Sequence, residues 1–189
     1  NVMPYLPPIG GVLNADFHLV EQDRVFSAVG TAEARKFAYQ GVEMGDLGAE
    51  ISYQPTREGD HKADAFIMFN GTEVAEASGT YYAKGEGSFA GNVKLKSLPM
   101  SMMDAFLEGT QTKMKGALNG ELSIVGTAEK PVINGALSFD KAHLYSNVYG
   151  VDLTFAADTV QIHNSVVKLQ DFALTRSEEH TSELQSPEA

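Results

Sequence analysis

The sequence predicts an all-β fold, an elongated, curved antiparallel sheet with one short helix near residues 99–108. Three observations carry that expectation. Apolar and polar residues alternate at period two through most of residues 9–175, as in strands whose two faces meet different surroundings. Turn signals recur every 8–12 residues or so, the spacing of an antiparallel meander. Glycines at 120 and 135 fall inside strand patterns, where they mark a bulge, a bend or a close backbone approach, and so curvature.

The elements follow in order. "GVLNADFHLV" sets Leu13, Ala15, Phe17 and Leu19 on one face, and "LGAEISYQ" sets Leu47, Ala49, Ile51 and Tyr53 opposite Gly48, Glu50, Ser52 and Gln54. "EGDHKAD" reads as a solvated hairpin loop before the strand "KADAFIMFN", and Asn70-Gly71 is a hairpin turn. "GSFAGNVKLK" turns Phe89, Gly91, Val93 and Leu95 away from Ser88, Ala90, Asn92 and Lys94. "LPMSMMDAFLEGT" breaks the alternation: Pro99 suits a helix start, Met100, Met103, Phe106 and Leu107 fall at helical spacing, and Gly109 ends it. Six further runs, from "GALNGELSIVG" to "SVVKLQDFAL", read as successive short strands. "GVLNADF" at 11–17 is echoed by "GALNGEL" at 116–122, and "VGTAE" occurs at 29–33 and again at 125–129. Offsets of 105 and 96 describe a loose repeat rather than a fixed-period solenoid.

Composition narrows the function. With 14 basic and 25 acidic side chains the net charge is −11, which gives nucleic acid no electrostatic footprint. The absence of cysteine removes disulfides, thiolate metal sites and a cysteine nucleophile. His18, His61, His143 and His163 lack the spacing of zinc ligands, and no serine sits in a G-x-S-x-G elbow. Gly85, Gly87 and Gly91 are not spaced as a phosphate loop. The expectation is a protein that is not an enzyme and uses no cofactor or metal. The segment "RSEEHTSELQS", Arg176 to Ser186, matches the translation of a sequencing adapter. Residues 176–189 are therefore expected to be an artefactual, disordered tail, and the chain a fragment.

Leu118, Gly120, Leu122, Ile124, Gly126, Thr127, Pro131, Ile133, Gly135, Leu137 and Phe139 spell L-x-G-x-L-x-I-x-G-T…P-x-I-x-G-x-L-x-F. This pattern resembles the repeating signature of the TamB (translocation and assembly module) and AsmA-like family of bacterial envelope proteins. The likeness covers residues 95–175 well and 9–55 more loosely, dividing the chain into an N-terminal β section at 1–94, a TamB-like section at 95–175 and the tail at 176–189. It implies a taco-shaped β groove in the periplasm of a Gram-negative bacterium, held to the inner membrane by a segment absent from this chain. It also implies phospholipid acyl chains as ligand and a BamA- or TamA-like outer-membrane barrel as a protein partner, in lipid transport or outer-membrane protein assembly.

Moving a diacyl lipid through water exposes about 30 methylenes at ~0.8 kcal/mol each, on the order of 20 kcal/mol, which an apolar trough offsets. Candidate groove residues are Leu118, Leu122, Ile124, Ile133, Leu137, Phe139, Val151, Leu153 and Phe155. The competing reading is a secreted β-sandwich adhesin or carbohydrate-binding module, in which the same residues form an ordinary core.

Overall fold

A computed structural model of the chain describes residues 8–22, 25–107, 112–155, 159–168 and 174–176. Among the described residues twelve strands join in one antiparallel sheet that does not close on itself. In order they are β1 (Ile9–Gln22), β2 (Val25–Tyr39), β3 (Val42–Pro55), β4 (His61–Phe69), β5 (Thr72–Tyr82), β6 (Ser88–Pro99), β7 (Thr112–Gly126), β8 (Pro131–Ser146), β9 (Val151–Phe155), β10 (Thr159–His163), β11 (Val166–Lys168) and β12 (Leu174–Arg176). From β1 to β8 each strand pairs with the next, the antiparallel meander that the turn spacing predicts, with β2 and β5 as strands that the sequence reading did not name.

Beyond that point the simple meander ends. "PVINGALSF" and "KAHLYS", read from sequence as two strands, form the single strand β8, whose outer edge is shared. Residues 135–138 pair with β10 and residues 143–146 with β9, and the left-handed residue Lys141 (φ 49°) lies between the two halves. The bulge bends β8, and the sheet forks there into β9–β12 and β10–β11. Arg176, assigned from sequence to the tail, is the last residue of β12 and pairs with Leu153. The rest of the expected tail lies outside the described residues.

The helix is present at Met100–Leu107 as a 3-10 helix, and Pro99 belongs to β6. Its place follows from unequal strand lengths. The β4–β5 hairpin turns at Asn70, where Asn70 N–H donates to the Asp46 carbonyl (2.8 Å) and Asp46 N–H to Asn70 Oδ1 (2.9 Å). β3 therefore runs on past its last β4 partner, and Leu98 and Pro99 of β6 run on beside β7 without a β5 partner. The notch between β3 and β6 is three strand spacings wide, about 14 Å, enough for a helix roughly 10 Å thick. The 3-10 helix bridges it, packing on β7 and reaching β3. Met100 is buried there, and Asp104 Oδ1 accepts the Met114 N–H at 2.8 Å.

One of the two sequence echoes is structural. The β1–β2 and β7–β8 hairpins share a register 105 positions apart: Phe17 faces Gly30 as Leu122 faces Gly135, and Leu13 faces Ala34 as Leu118 faces Phe139. Their bulges correspond too, at Lys36 (φ 50°) and Lys141 (φ 49°). The "VGTAE" echo has no such meaning, because its first copy lies within β2 and its second runs out of β7 into a turn. The repeat is stricter than the mixed offsets implied.

Candidate functional site

The registers sort the side chains into two unlike faces. One row runs Phe17, Gly30, Ile51, Ala65, Ala77, Val93, Leu122, Gly135, Ile162, strand by strand from β1 to β8 and on to β10. Two residues along each strand, Ala15, Ala32, Ala49, Ile67, Ala75, Leu95, Gly120, Leu137 and Val160 form the next. This face is apolar across nine strands. The opposite face carries Ser52, Asp64, Ser78, Asn92, Ser123 and Asn134 in one row, with Glu50, Phe66, Glu76, Lys94 and Glu121 in the next.

All nine predicted groove residues share the apolar face. Leu118 lies beside Phe139, and Ile124 beside Ile133. Leu137 faces Gly120. After the β8 bulge, Leu153 pairs with Leu144 and Val151 with Ser146, on the same side. Phe155 stacks on Phe139 with ring centroids 5.5 Å apart. Close approach explains the two strand glycines: a Cβ at Gly120 would lie 2.2 Å from the Ala136 carbonyl oxygen, and one at Gly135 2.1 Å from that of Glu121.

Among the described residues only Val74, Ala75, Met100, Ala142 and Val160 are buried apolar residues, so no second layer covers the apolar face. Leu122, Ile124, Ile133, Leu137 and Phe139 are instead partly exposed. At the β1 margin Leu13 and Leu19 are 72% and 73% exposed. One end of this face carries an aromatic group that the sequence reading missed, with His61 between Tyr53 (5.9 Å, stacked) and Tyr81 (6.0 Å) and the Tyr53 hydroxyl 2.6 Å from His61 Nδ1. The cross-strand pairing of β3, β4 and β5 makes it, and no local motif announces it.

The polar face is not featureless. A cavity of about 860 Å³ runs between its two rows, bordered by Ser52, Asp64, Ser78, Asn92, Ser123 and Asn134 on one side and Phe66, Glu76, Lys94 and Glu121 on the other. Of the nine groove candidates Leu122 alone borders it. A second cavity of about 300 Å³ shares Ser52, Asp64 and Phe66 and extends toward His18 and Thr31. Lys96 bridges Glu73 and Glu76 nearby. Hydrogen bonding to Lys96 holds the Glu76 carboxyl below its ordinary range, and Glu73 then Glu76 raise the Lys96 ammonium above its own.

His143 bonds Asp152 on this polar side, away from the other histidines. Among the described residues no three of His, Asp or Glu group together as a metal site would require. No helix among them is long and apolar enough to cross a membrane. Compared with known protein families, curated proteins and solved structures, the chain matches none.

Proposed function

We propose that this chain is a lipid-shielding section of a cell-envelope protein of the TamB and AsmA-like type, whose apolar sheet face receives phospholipid acyl chains between the inner and outer membranes. One observation carries the reading. The apolar face runs in register across nine strands and has no covering layer among the described residues. A sheet face of that kind in water requires an apolar partner. Acyl chains suit it because they ask only for a continuous apolar surface and no directed hydrogen bonds. The role is binding and shielding rather than catalysis, in the periplasm, in lipid transport or in assistance to an outer-membrane barrel protein.

The test is binding of a fluorescent phospholipid to the purified chain and to Leu137→Asp. Loss of binding with an unchanged unfolding midpoint supports an acyl-binding surface. Unfolding of the variant, with no binding by the parent chain, identifies Leu137 as ordinary core and removes the reading.

A second reading rests on the polar face. Its 860 Å³ cavity, the ladder of short hydroxyl and amide side chains and the 44% exposed Phe66 suit a hydroxyl-rich ligand such as an oligosaccharide. Glycan-array binding that is lost in Phe66→Ala and kept in Leu137→Asp would favour it over the lipid.

A further inference from the structure

We infer that the free edge of β1 is a strand-addition site, and that its occupant is an antiparallel strand of the β6 type supplied from outside the described sheet. The argument starts from the 105-residue repeat. β7 lies between two strands and makes a different contact to each. Toward β8 its Gly116 leaves room for the bulge, since a Cβ there would lie 2.6 and 2.5 Å from the carbonyl oxygens of Asp140 and Lys141. Toward β6 its Asn119 Oδ1 accepts the N–H of Ser97, a left-handed bulge residue (φ 52°), at 2.7 Å. Two residues on, Glu121 pairs with Lys94 at 3.3 Å.

β1 repeats both sets of groups at the same spacing. Gly11 stands where Gly116 stands, with the Arg35 and Lys36 carbonyl oxygens 2.9 and 3.2 Å from a Cβ built on it. Asn14 corresponds to Asn119 and Asp16 to Glu121, while Leu13, Phe17 and Leu19 take the places of Leu118, Leu122 and Ile124. The β2-facing half of this equipment is in use. The other half is idle, because among the described residues no strand pairs with the outer edge of β1.

The geometry defines the occupant. An incoming strand must run antiparallel to β1, place a left-handed residue opposite Asn14 so that its N–H meets Oδ1, and carry a cation opposite Asp16. An apolar side chain must fall opposite Phe17 and a glycine opposite Leu19. β6 meets each demand through Ser97, Lys94, Val93 and Gly91 with its neighbour Phe89, so a strand of its pattern fits where an arbitrary β-strand would leave the bulge N–H unpaired. The Asn and Asp also explain how an edge of 14 residues with exposed leucines can choose one partner, since register is fixed by side-chain groups and not by the uniform backbone ladder.

The test uses the full 189-residue chain and a fluorescein-labelled peptide of residues 86–99, read by anisotropy and by amide hydrogen exchange. The expected result is saturable binding that slows exchange in β1 and leaves β11 unchanged. Asn14→Ala should weaken it about tenfold, as an unpaired backbone N–H implies. Asp16→Lys should weaken it several-fold, and a peptide carrying Lys94→Glu should recover the loss against Asp16→Lys alone. Absence of binding, binding indifferent to both substitutions, or protection at a strand other than β1 overturns the proposal. So does a peptide-independent dimer that pairs β1 with β1, because that arrangement satisfies neither Asn14 nor Asp16.

Discussion

Replacing Gly135 by alanine tests how closely β7 and β8 are held. The residue sits at φ 147°, and a Cβ on it would lie 2.1 Å from the Glu121 carbonyl oxygen and 2.9 Å from the Leu122 Cα, where ordinary contact begins near 3.4 Å. The strands must separate by about 1 Å, which disrupts roughly two ladder hydrogen bonds worth ~1 kcal/mol each. Left-handed backbone strain adds about 1–3 kcal/mol for a residue with a side chain. The expected loss is therefore about 3–5 kcal/mol, a large part of the ~5–15 kcal/mol that holds a typical domain. Gly59→Ala is the control: at φ 90° it has nothing within 4 Å of its Cβ, so the strain of about 1–3 kcal/mol remains alone. Urea unfolding followed by circular dichroism reads both. If Gly135→Ala falls within about 1 kcal/mol of the control, the tight β7–β8 approach is wrong.

Two further outcomes follow from named contacts. Asn119→Ala should cost about 1–2 kcal/mol in urea unfolding, because the Ser97 N–H loses its acceptor; Asn14→Ala, on the free edge, should cost nothing measurable in the isolated chain, and equal losses would contradict the assignment of roles. The Glu76 carboxyl resonance should titrate below the ordinary glutamate range and return to it in Lys96→Met. Because the folded pKa is depressed, the pair's contribution is present above the ordinary glutamate pKa and is lost as pH falls through the lowered value. A Glu76 titration unchanged by Lys96→Met would remove that contact.

Period-two alternation made the strands legible, and with them the faces: once Leu118, Leu122 and Ile124 are placed together, antiparallel pairing carries Ile133, Leu137 and Phe139 to the same side. The helix was legible because "MSMMDAFL" abandons that alternation. Its 3-10 form was not, since the notch left by the short β4–β5 hairpin is a tertiary feature. The bulges were hidden for a different reason. Lys36, Ser97 and Lys141 adopt left-handed backbone conformations without being glycine, and what permits this at Lys36 and Ser97 is a side chain on the next strand, Asp46 or Asn119, accepting the bulge N–H. The Asn-Gly steps at 119 and 134 lie within strands, as the alternation around Gly120 and Gly135 indicates, but nothing local shows that each Asn accepts a backbone N–H from a neighbouring segment. The cavity on the polar face left no local signal either, because its walls come from six strands and meet only through register.

The central claim is that the apolar face, and not its reverse, meets acyl chains. The most direct measurement places a photo-crosslinking side chain at Leu122 or Leu137 on that face and at Glu121 or Ser138 on the other side of the pleat, then irradiates each protein with phospholipid vesicles and reads adducts by mass spectrometry. The account predicts phospholipid adducts at Leu122 and Leu137 and none at Glu121 or Ser138. Equal labelling at all four positions, or adducts confined to Glu121 and Ser138, would contradict it.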